Sequence, residues 1–414
     1  MRDYRDIPSW KDVTKEQWLD WKWQLRNSIH DTKILNDVFK LDSEELREVK
    51  AVLQEFPMSV TPYYLSLIDP ENENDPVKQQ AIPTIKEMNV SKGDLLDPLD
   101  EDVDSPVEGI THRYPDRVLM LVTHVCSMYC RHCTRRRKVG EVDRHIGGDL
   151  LDKQIEYIKN TPSVRDVLIS GGDPLMLSTA QLEKIISRVY EIPHVEIIRL
   201  GSRMPVVLPM RIDDELVNML KKYHPVYINT HFNHPNEITK YSAAACDKLN
   251  NAGVPLGNQT VLLRGVNDCP HVMKKLMHKL LQIRVKPYYM YQCDASRGIS
   301  HFRTSIGKGI EIIESLRGHT TGMAVPVYVV DAPGGGGKIP ISPQYLISRS
   351  QDHTILRNFE GVITVYHDNC KGHSVCGKDE ACSDPKYKIK KGVAHIFANP
   401  EEIIEPSHKP RKLH

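Results

Sequence analysis

Three cysteines stand close together and are the part of the sequence best suited to redox chemistry. They are Cys126, Cys130 and Cys133, with the spacing Cys-x3-Cys-x2-Cys. Three thiolates on one short loop can hold three irons of a 4Fe–4S cluster, although such clusters usually take four cysteines. The next cysteine is the distant Cys246, so one iron would keep the open position that metal chemistry needs. A zinc knuckle and three reduced structural thiols are the alternative interpretations.

Two aspartates and a lysine form a second group of candidates. Asp294 and Asp331 each follow an apolar predicted strand, and Lys338 ends the run Gly334–Gly337. Two carboxylates in one pocket repel each other unless a cation lies between them, and a lysine amine can act as a nucleophile. A phosphate loop of the Gly-x4-Gly-Lys-Ser/Thr type is excluded because Ile339 follows the lysine. From the residues alone, turns and a surface loop remain open.

Arginines flank the cysteine loop on both sides. Arg113 and Arg117 precede it, and Arg135, Arg136 and Arg137 follow it directly. A planar guanidinium suits phosphate and carboxylate ligands. Three arginines beside a metal site are costly unless they meet anions. The alternative is a solvated basic surface for some of them.

Small and polar residues follow several predicted strands. Gly171, Gly172 and Asp173 come directly after one strand, and adjacent glycines let a backbone approach a ligand closely. His231 and Gln259 stand at or near the ends of two others. Because a buried polar group needs a partner, these residues are either ligand contacts or satisfied core residues.

The elements that must position these residues alternate between strands and helices. Six strands with helices between them predict a parallel sheet with helices outside, and sites in such sheets gather at the carboxyl ends of the strands. The predicted strands are Val118–Thr123, Val167–Ser170, Val195–Leu200, Val226–Thr230, Gly257–Leu263 and Val285–Tyr291. The predicted helices are Leu182–Tyr190, Glu215–Tyr223, Thr239–Asn250, Val272–Gln282 and Lys308–Leu316.

The first 60 residues predict helices, and the next 50 predict a connector. Capping-box patterns open helices at Thr14 and Asp42. Trp18, Trp21, Leu25 and Ile29 then follow at the spacing of one helix. Residues 94–108 contain seven carboxylates, which favours a solvated acidic connector.

Composition excludes several classes of function. The 414 residues balance 55 basic against 54 acidic side chains, so no basic excess indicates nucleic acid or an anionic membrane as partner. The N-terminus has no apolar segment typical of a signal peptide, and no apolar run is long enough to span a bilayer. Nine cysteines, an odd number, fit metal-binding thiols in a reducing, cytoplasmic compartment better than disulfides.

The motifs together resemble the lysine 2,3-aminomutase family of radical S-adenosylmethionine (SAM) enzymes. The likeness is carried by the cysteine loop and by residues 111–117, 134–137 and 331–338, and it extends from about residue 10 to 365. It implies an α/β fold, an incomplete (β/α)6 TIM-like radical SAM barrel with N-terminal helical and C-terminal extensions.

The resemblance also implies a division of the chain and a set of ligand-binding residues. The expected parts are a helical region with an acidic linker at 1–110, the barrel at 111–340, and a zinc-binding and oligomerisation tail at 341–414. The 4Fe–4S cluster would bind Cys126, Cys130 and Cys133. SAM would contact Gly171, Gly172, Asp173, His231 and Gln259. Pyridoxal 5′-phosphate (PLP) would be linked to Lys338 and held by Arg113, Tyr114 and Arg117. The substrate would contact Arg135, Asp294 and Asp331.

A zinc site is a further implication of the resemblance. Cys269, Cys370, Cys376 and Cys382 match candidate ligands, one of them donated by a neighbouring subunit in the family. The tail departs from the family's tight Cys-x-Cys-x2-Cys spacing, since its gaps are Cys-x5-Cys-x5-Cys. His367 and His373 are alternative ligands.

The expected function is therefore interconversion of L-lysine and L-β-lysine by 2,3-amino migration. The two aspartates favour a cationic substrate side chain. An arginine aminomutase, a radical SAM enzyme without PLP, and a cluster-bearing regulatory protein are the alternatives. The expected electron donor is flavodoxin or ferredoxin. The protein is expected to form a homo-oligomer, either a dimer or a dimer of dimers.

Overall fold

The chain forms two compact units. The structure, a computed structural model, describes residues 3–138, 146–350, 352–368, 380–384 and 387. The larger unit is Met1–Pro343 and the smaller is Gln344–His414. Within the described residues, no helix is long and apolar enough to cross a membrane.

The larger unit contains thirteen α-helices and nine strands in the part of the chain described. The helices are α1 Lys15–Leu19, α2 Trp21–Arg26, α3 Thr32–Phe39, α4 Ser43–Glu55, α5 Pro62–Leu65, α6 Pro76–Ala81, α7 Asp149–Lys159, α8 Thr179–Tyr190, α9 Met204–Val207, α10 Asp214–Leu220, α11 Lys240–Asn251, α12 Pro270–Gln282 and α13 Ile306–Leu316. The strands are β1 Ile110–Tyr114, β2 Arg117–Thr123, β3 Asp166–Gly171, β4 Ile197–Gly201, β5 Val226–Thr230, β6 Leu256–Leu262, β7 Lys286–Gln292, β8 Val327–Ala332 and β9 Gly337–Pro340.

The nine strands form one sheet in sequence order, from β1 to β9. Strands β2 to β8 run parallel, while β1 and β9 pair antiparallel at the two edges. A side chain links the edges, because the Tyr114 hydroxyl on β1 accepts a hydrogen bond of 3.0 Å from the backbone N–H of Lys338 on β9. The predicted α/β barrel with six βα units is confirmed, and β8 adds a seventh parallel strand.

The parallel strands pack into the core through aliphatic side chains. Strand β2 reads Arg-Val-Leu-Met-Leu-Val-Thr and buries Val118, Met120 and Val122 almost completely. Helices α8 and α12 bury their apolar faces, as the amphipathic pattern predicts. Stripes of this kind are what hold helices outside a parallel sheet.

The N-terminal helices differ from the prediction in one respect. Both capping boxes form, at Thr14 and at Asp42. The single helix predicted through Trp18 and Leu25 is wrong, because Asp20 is extended and caps α2 through its side chain. An aspartate at this position competes for backbone N–H groups and so breaks the helix in two.

The prediction of a solvated acidic connector is also wrong. Helices α5 and α6 are largely buried. Further along, the carboxylates of Glu101 and Asp104 are buried against arginines, at 2.6 Å from Arg135 and 2.8 Å from Arg113. A segment rich in acids and prolines can have its carboxylates in solvent or in buried ion pairs with arginines, and the sequence pattern is the same in both cases.

The smaller unit contains a three-stranded antiparallel sheet. Its strands are β10 Leu346–Arg349, β11 His353–Arg357 and β12 Ile363–His367, paired in that order. Many of its side chains are exposed, including Leu346 and Tyr366.

Candidate active site

One cavity of about 890 Å³ in the larger unit brings the predicted site residues together. Every residue predicted to bind the cluster, SAM, PLP or the substrate lines it. These are Arg113, Tyr114, Arg117, Cys126, Cys130, Cys133, Arg135, Gly171, Gly172, Asp173, His231, Gln259, Asp294, Asp331 and Lys338. Most of them stand at or just beyond the carboxyl end of a strand, where parallel sheets place their sites.

The cysteine loop begins directly after β2. Its three thiols are near enough that the charge of one raises the pKa of another, although burial is the main cause of the shift. Burial raises the pKa of the Cys133 thiol to about 11. In a 4Fe–4S cluster each cysteine ligates a different iron.

The turn after β3 packs on the chain that leads into the cysteine loop. A Cβ atom at Gly171 would lie 2.1 Å from the Thr123 carbonyl oxygen, and one at Gly172 would lie 2.2 Å from the Val125 carbonyl oxygen. Gly171 also has a φ of +138°. The two glycines therefore make room for the protein's own backbone, which fixes the start of the cysteine loop.

Arg203, just past the end of β4, is a buried cation beside the cysteine loop. Its guanidinium donates to Cys130 Sγ at 2.8 Å and to Glu237 at 2.7 Å. Its backbone N–H donates to Asp173 at 2.8 Å, and its Nε donates to the His231 carbonyl at 3.1 Å. Through its side chain and its backbone N–H, this one residue connects a predicted cluster ligand with two residues predicted to contact SAM.

The residues predicted for SAM already have protein partners. Asp173 accepts from the Ser202 hydroxyl at 2.7 Å and caps a short turn through the N–H of Leu175, while burial raises the pKa of its carboxyl. His231 Nδ1 lies 3.0 Å from the Gln259 carbonyl. Burial, followed by the charge of Arg203, lowers the pKa of His231 to about 4, so the ring is neutral.

A buried amide beside these residues lacks a partner. The Nδ2 group of Asn229 has no hydrogen-bond acceptor among the described residues, and Asn229 lines the cavity. Since a buried unpaired donor is costly, this atom fits an acceptor on a bound molecule. The neighbouring Asn258 differs, because its amide bonds to the backbone of Phe232 on both sides.

Lys338 and the two aspartates share one side of the cavity. Lys338 on β9 lies directly opposite Asp331 on β8, and its Nζ is 3.1 Å from an Asp331 oxygen. The ammonium also lies 5.3 Å from the centre of the Tyr291 ring. The lysine thus belongs to a strand, with the glycine run forming the hairpin that precedes it. Burial, together with the charge of Asp331, raises the pKa of Asp294 to about 7.

The predicted phosphate-binding arginines lie at the edge of the sheet. Arg113 donates to Asp104 at 2.8 Å and to the Leu99 carbonyl. The Arg117 guanidinium stacks 3.9 Å from the centre of the Tyr114 ring. Two guanidinium groups and a tyrosine near Lys338 are a donor set that suits the phosphate of PLP.

The three arginines after the cysteine loop all meet protein carboxylates. Arg135 pairs with Glu101, and Arg136 pairs with the fully buried Glu87 at 2.6 Å. Arg137 pairs with Asp97 and Asp102, both at 2.7 Å. The solvated basic surface considered for some of them is therefore wrong, since the segment before β1 supplies their anions.

The predicted zinc ligands are only partly described. Cys269 caps α12, is exposed, and has its Sγ 3.8 Å from His271 Nδ1. Cys382 is exposed in the smaller unit. Cys370 and Cys376, and the alternative ligand His373, lie outside the described residues.

Sequence reasoning missed several charged residues that line the cavity, among them Glu101 and Arg203. Arg203 follows the apolar strand β4 in the way that other predicted residues follow theirs, so its position was an available signal. Glu101 gave no such signal, because it stands among many acids in a segment without strands.

Comparison with known proteins identifies the family. Residues 120–276 match the radical SAM superfamily, and residues 313–413 match the family described as Lysine-2,3-aminomutase. The chain is 60% identical to L-lysine 2,3-aminomutase of Clostridium subterminale, over 96% of this chain and 95% of that protein. It is 56% identical to the L-lysine 2,3-aminomutase of Bacillus subtilis, over 99% and 88%, and 52% identical to glutamate 2,3-aminomutase of Clostridioides difficile, over 86% and 84%. The chain therefore belongs to the lysine 2,3-aminomutase family of radical SAM enzymes.

Proposed function

We propose that this protein is an isomerase that interconverts L-lysine and L-β-lysine by moving an amino group between C2 and C3. The observation that carries the proposal is the single cavity, in which a three-cysteine loop, a lysine and two aspartates meet. The high identity to L-lysine 2,3-aminomutases over nearly the whole chain supports it.

The donor set of the cavity fits the three cofactors of such an enzyme. Cys126, Cys130 and Cys133 would hold a 4Fe–4S cluster, and Asp173, His231, Gln259, Gly171, Gly172 and the unpaired amide of Asn229 line the part suited to SAM. Lys338, Arg113, Tyr114 and Arg117 would hold PLP. When bound, the reduced cluster and SAM supply a radical that removes hydrogen from the substrate, and PLP carries the migrating amino group.

The protein's own residues bind and orient the substrate. Asp294 and Asp331 would accept hydrogen bonds from the ε-ammonium, and Arg135 would donate to the α-carboxylate. Lys338 bonds Asp331, and a substrate ammonium would take over this carboxylate once the lysine leaves it.

A guanidinium would also fit between two aspartates, so L-arginine is the second candidate substrate. The test is to supply the reconstituted, reduced enzyme with single amino acids and to identify the products by mass spectrometry. We expect β-lysine from L-lysine and at most slow conversion of arginine. If none of the amino acids yields a β-amino acid, the proposal is contradicted. The Cys130→Ala variant, which loses a cluster ligand, is the matched negative control.

Three further features belong to the same proposal. An electron donor such as flavodoxin or ferredoxin would reduce the cluster, and the protein would act as a homo-oligomer. Zinc would be held by Cys269 together with Cys370, Cys376 and Cys382, with His367 as an alternative. A reducing compartment such as the cytoplasm belongs to the same proposal, because nine cysteines, an odd number, fit metal-binding thiols better than disulfides.

A further inference from the structure

Glu101 is a buried carboxylate of the acidic segment 94–108, and it lines the cavity. Its side chain is 6% exposed, and Arg135 lines the cavity as well. Arg135 Nε lies 3.0 Å from both Glu101 oxygens, and Arg135 Nη2 lies 2.6 Å from one of them. Removing a carboxylate from water is costly, so such burial requires a strong partner.

The hydrogen bonds use only one edge of the Arg135 guanidinium. Nε and Nη2 face Glu101, whereas Nη1 has no acceptor among the described residues. A guanidinium presents donors along two edges, and each edge can bind one carboxylate. With Glu101 on the Nε edge, the edge that carries Nη1 is left for a second carboxylate from the cavity.

The cations next to Arg135 have carboxylate partners of their own. The pKa of Glu101 is raised by burial but lowered further by Arg135, so the carboxylate is ionised. Arg137 and Lys138 already pair with Asp102, and Arg136 pairs with Glu87. Arg135 is 25% exposed, more than the Glu101 that fixes it, so its remaining donors are open to a ligand.

We infer that Glu101 is a positioning residue for substrate recognition. It holds the Arg135 guanidinium so that the free edge receives the α-carboxylate of the substrate. This inference rests on the proposed function, because it takes an α-amino acid as the ligand. The acidic segment before β1 would then form part of the wall of the substrate site.

A different role for Glu101 would have different consequences. If Glu101 competed with the substrate carboxylate for Arg135, its removal would strengthen lysine binding. If it only supported the fold, its removal would weaken all ligands alike. A ligand that lacks the carboxylate separates these cases, and 1,5-diaminopentane, which is lysine without its carboxylate, is such a ligand.

The experiment compares Glu101→Gln and Glu101→Asp with wild type in the cofactor-loaded enzyme. The KM and kcat for lysine and the inhibition constant of 1,5-diaminopentane are measured. A second readout is the dissociation constant of lysine, from absorbance changes of PLP in enzyme without cluster. Asp102→Asn is the matched control, since Asp102 neighbours Glu101 but does not line the cavity.

We expect Glu101→Gln to raise the KM and the dissociation constant of lysine by about 10-fold or more, the effect of a misplaced charge-assisted hydrogen bond. Inhibition by 1,5-diaminopentane should change less than twofold, Glu101→Asp should restore part of the lysine affinity, and Asp102→Asn should resemble wild type. Unchanged or tighter lysine binding, or equal weakening of both ligands, would overturn the inference. Lack of lysine turnover in wild type would instead overturn the proposed function.

Discussion

Lys338 is placed to react because its strand fixes it inside the cavity beside Asp331. We predict that Lys338→Ala folds but no longer retains PLP after borohydride reduction, since the amine that would carry the cofactor is gone. Peptide mapping of the reduced wild-type protein should locate PLP on Lys338. Lys286→Ala is the control, because Lys286 also lines the cavity. An adduct on Lys286 would contradict the assignment.

The carboxyl group of Asp294 makes lysine binding depend on pH. Burial and Asp331 raise its pKa to about 7. Below that pH the carboxyl is protonated and must lose its proton to bind an ammonium ion. We therefore predict that the KM for lysine rises about tenfold for each pH unit below 7 and levels off above it. Asp294→Asn should remove the rise of KM below pH 7. If the pH dependence of KM in this variant equals that of wild type, Asp294 does not bind the substrate ammonium.

Asp331 should govern substrate choice as well as the position of Lys338. Each charge-assisted hydrogen bond to the ε-ammonium contributes roughly 1.5–3 kcal/mol. Asp331→Ala should then lower kcat/KM for lysine by about 10- to 150-fold. Alanine has no side-chain ammonium, so the ratio of the lysine and alanine rates isolates this contact from effects on Lys338. An unchanged ratio would mean that Asp331 contacts Lys338 but does not bind the substrate ammonium.

Among single residues, those with a spacing motif could be predicted, and those defined by a distant partner could not. The cysteine spacing and the glycine run before Lys338 are local patterns, and the structure brings both to one cavity. Glu101 is defined by Arg135, which follows it by 34 residues. No local pattern encodes such a pair, because its energy depends on burial that only the folded chain creates.

Among the elements, the turn after β3 has the most direct effect on the cysteine loop. A methyl group at Gly172 would lie 2.2 Å from the Val125 carbonyl oxygen, a backbone atom directly before Cys126 that cannot move aside cheaply. We predict that Gly172→Ala lowers the iron content per chain after reconstitution, measured against Gly147→Ala. The control position has no atom within 4 Å of the added methyl group. Equal iron in the two variants would mean that the loop adapts to the displaced turn.

The alternation of strands and helices could be predicted because its periodicity is local. The six predicted strands correspond to β2–β7 within a few residues, and the capping boxes at Thr14 and Asp42 form. The antiparallel edges β1 and β9 were not predicted. Both are short, and their pairing depends on neighbours already in the sheet. The edge strands nonetheless carry Arg113, Tyr114 and Lys338, so the closing elements of the sheet also build the site.

At the scale of the whole molecule, the cavity lies entirely in the larger unit, while three candidate zinc ligands belong to the smaller one. Cys269 belongs to the larger unit and is exposed at the start of α12. The Cys269 thiol lies 3.8 Å from Nδ1 of His271. An exposed thiol beside a histidine suits a metal ligand better than a core residue.

We therefore predict that the purified enzyme contains zinc in addition to iron. Cys269→Ser should lose the zinc, keep the iron of the cluster, and shift the oligomer towards smaller species in light scattering, because one proposed zinc ligand is removed. Cys246→Ala is the control, since Cys246 is a buried core thiol on α11. Full zinc in Cys269→Ser would exclude Cys269 as an essential ligand. Loss of zinc without a change in oligomer size would confine the metal to a structural role within one chain.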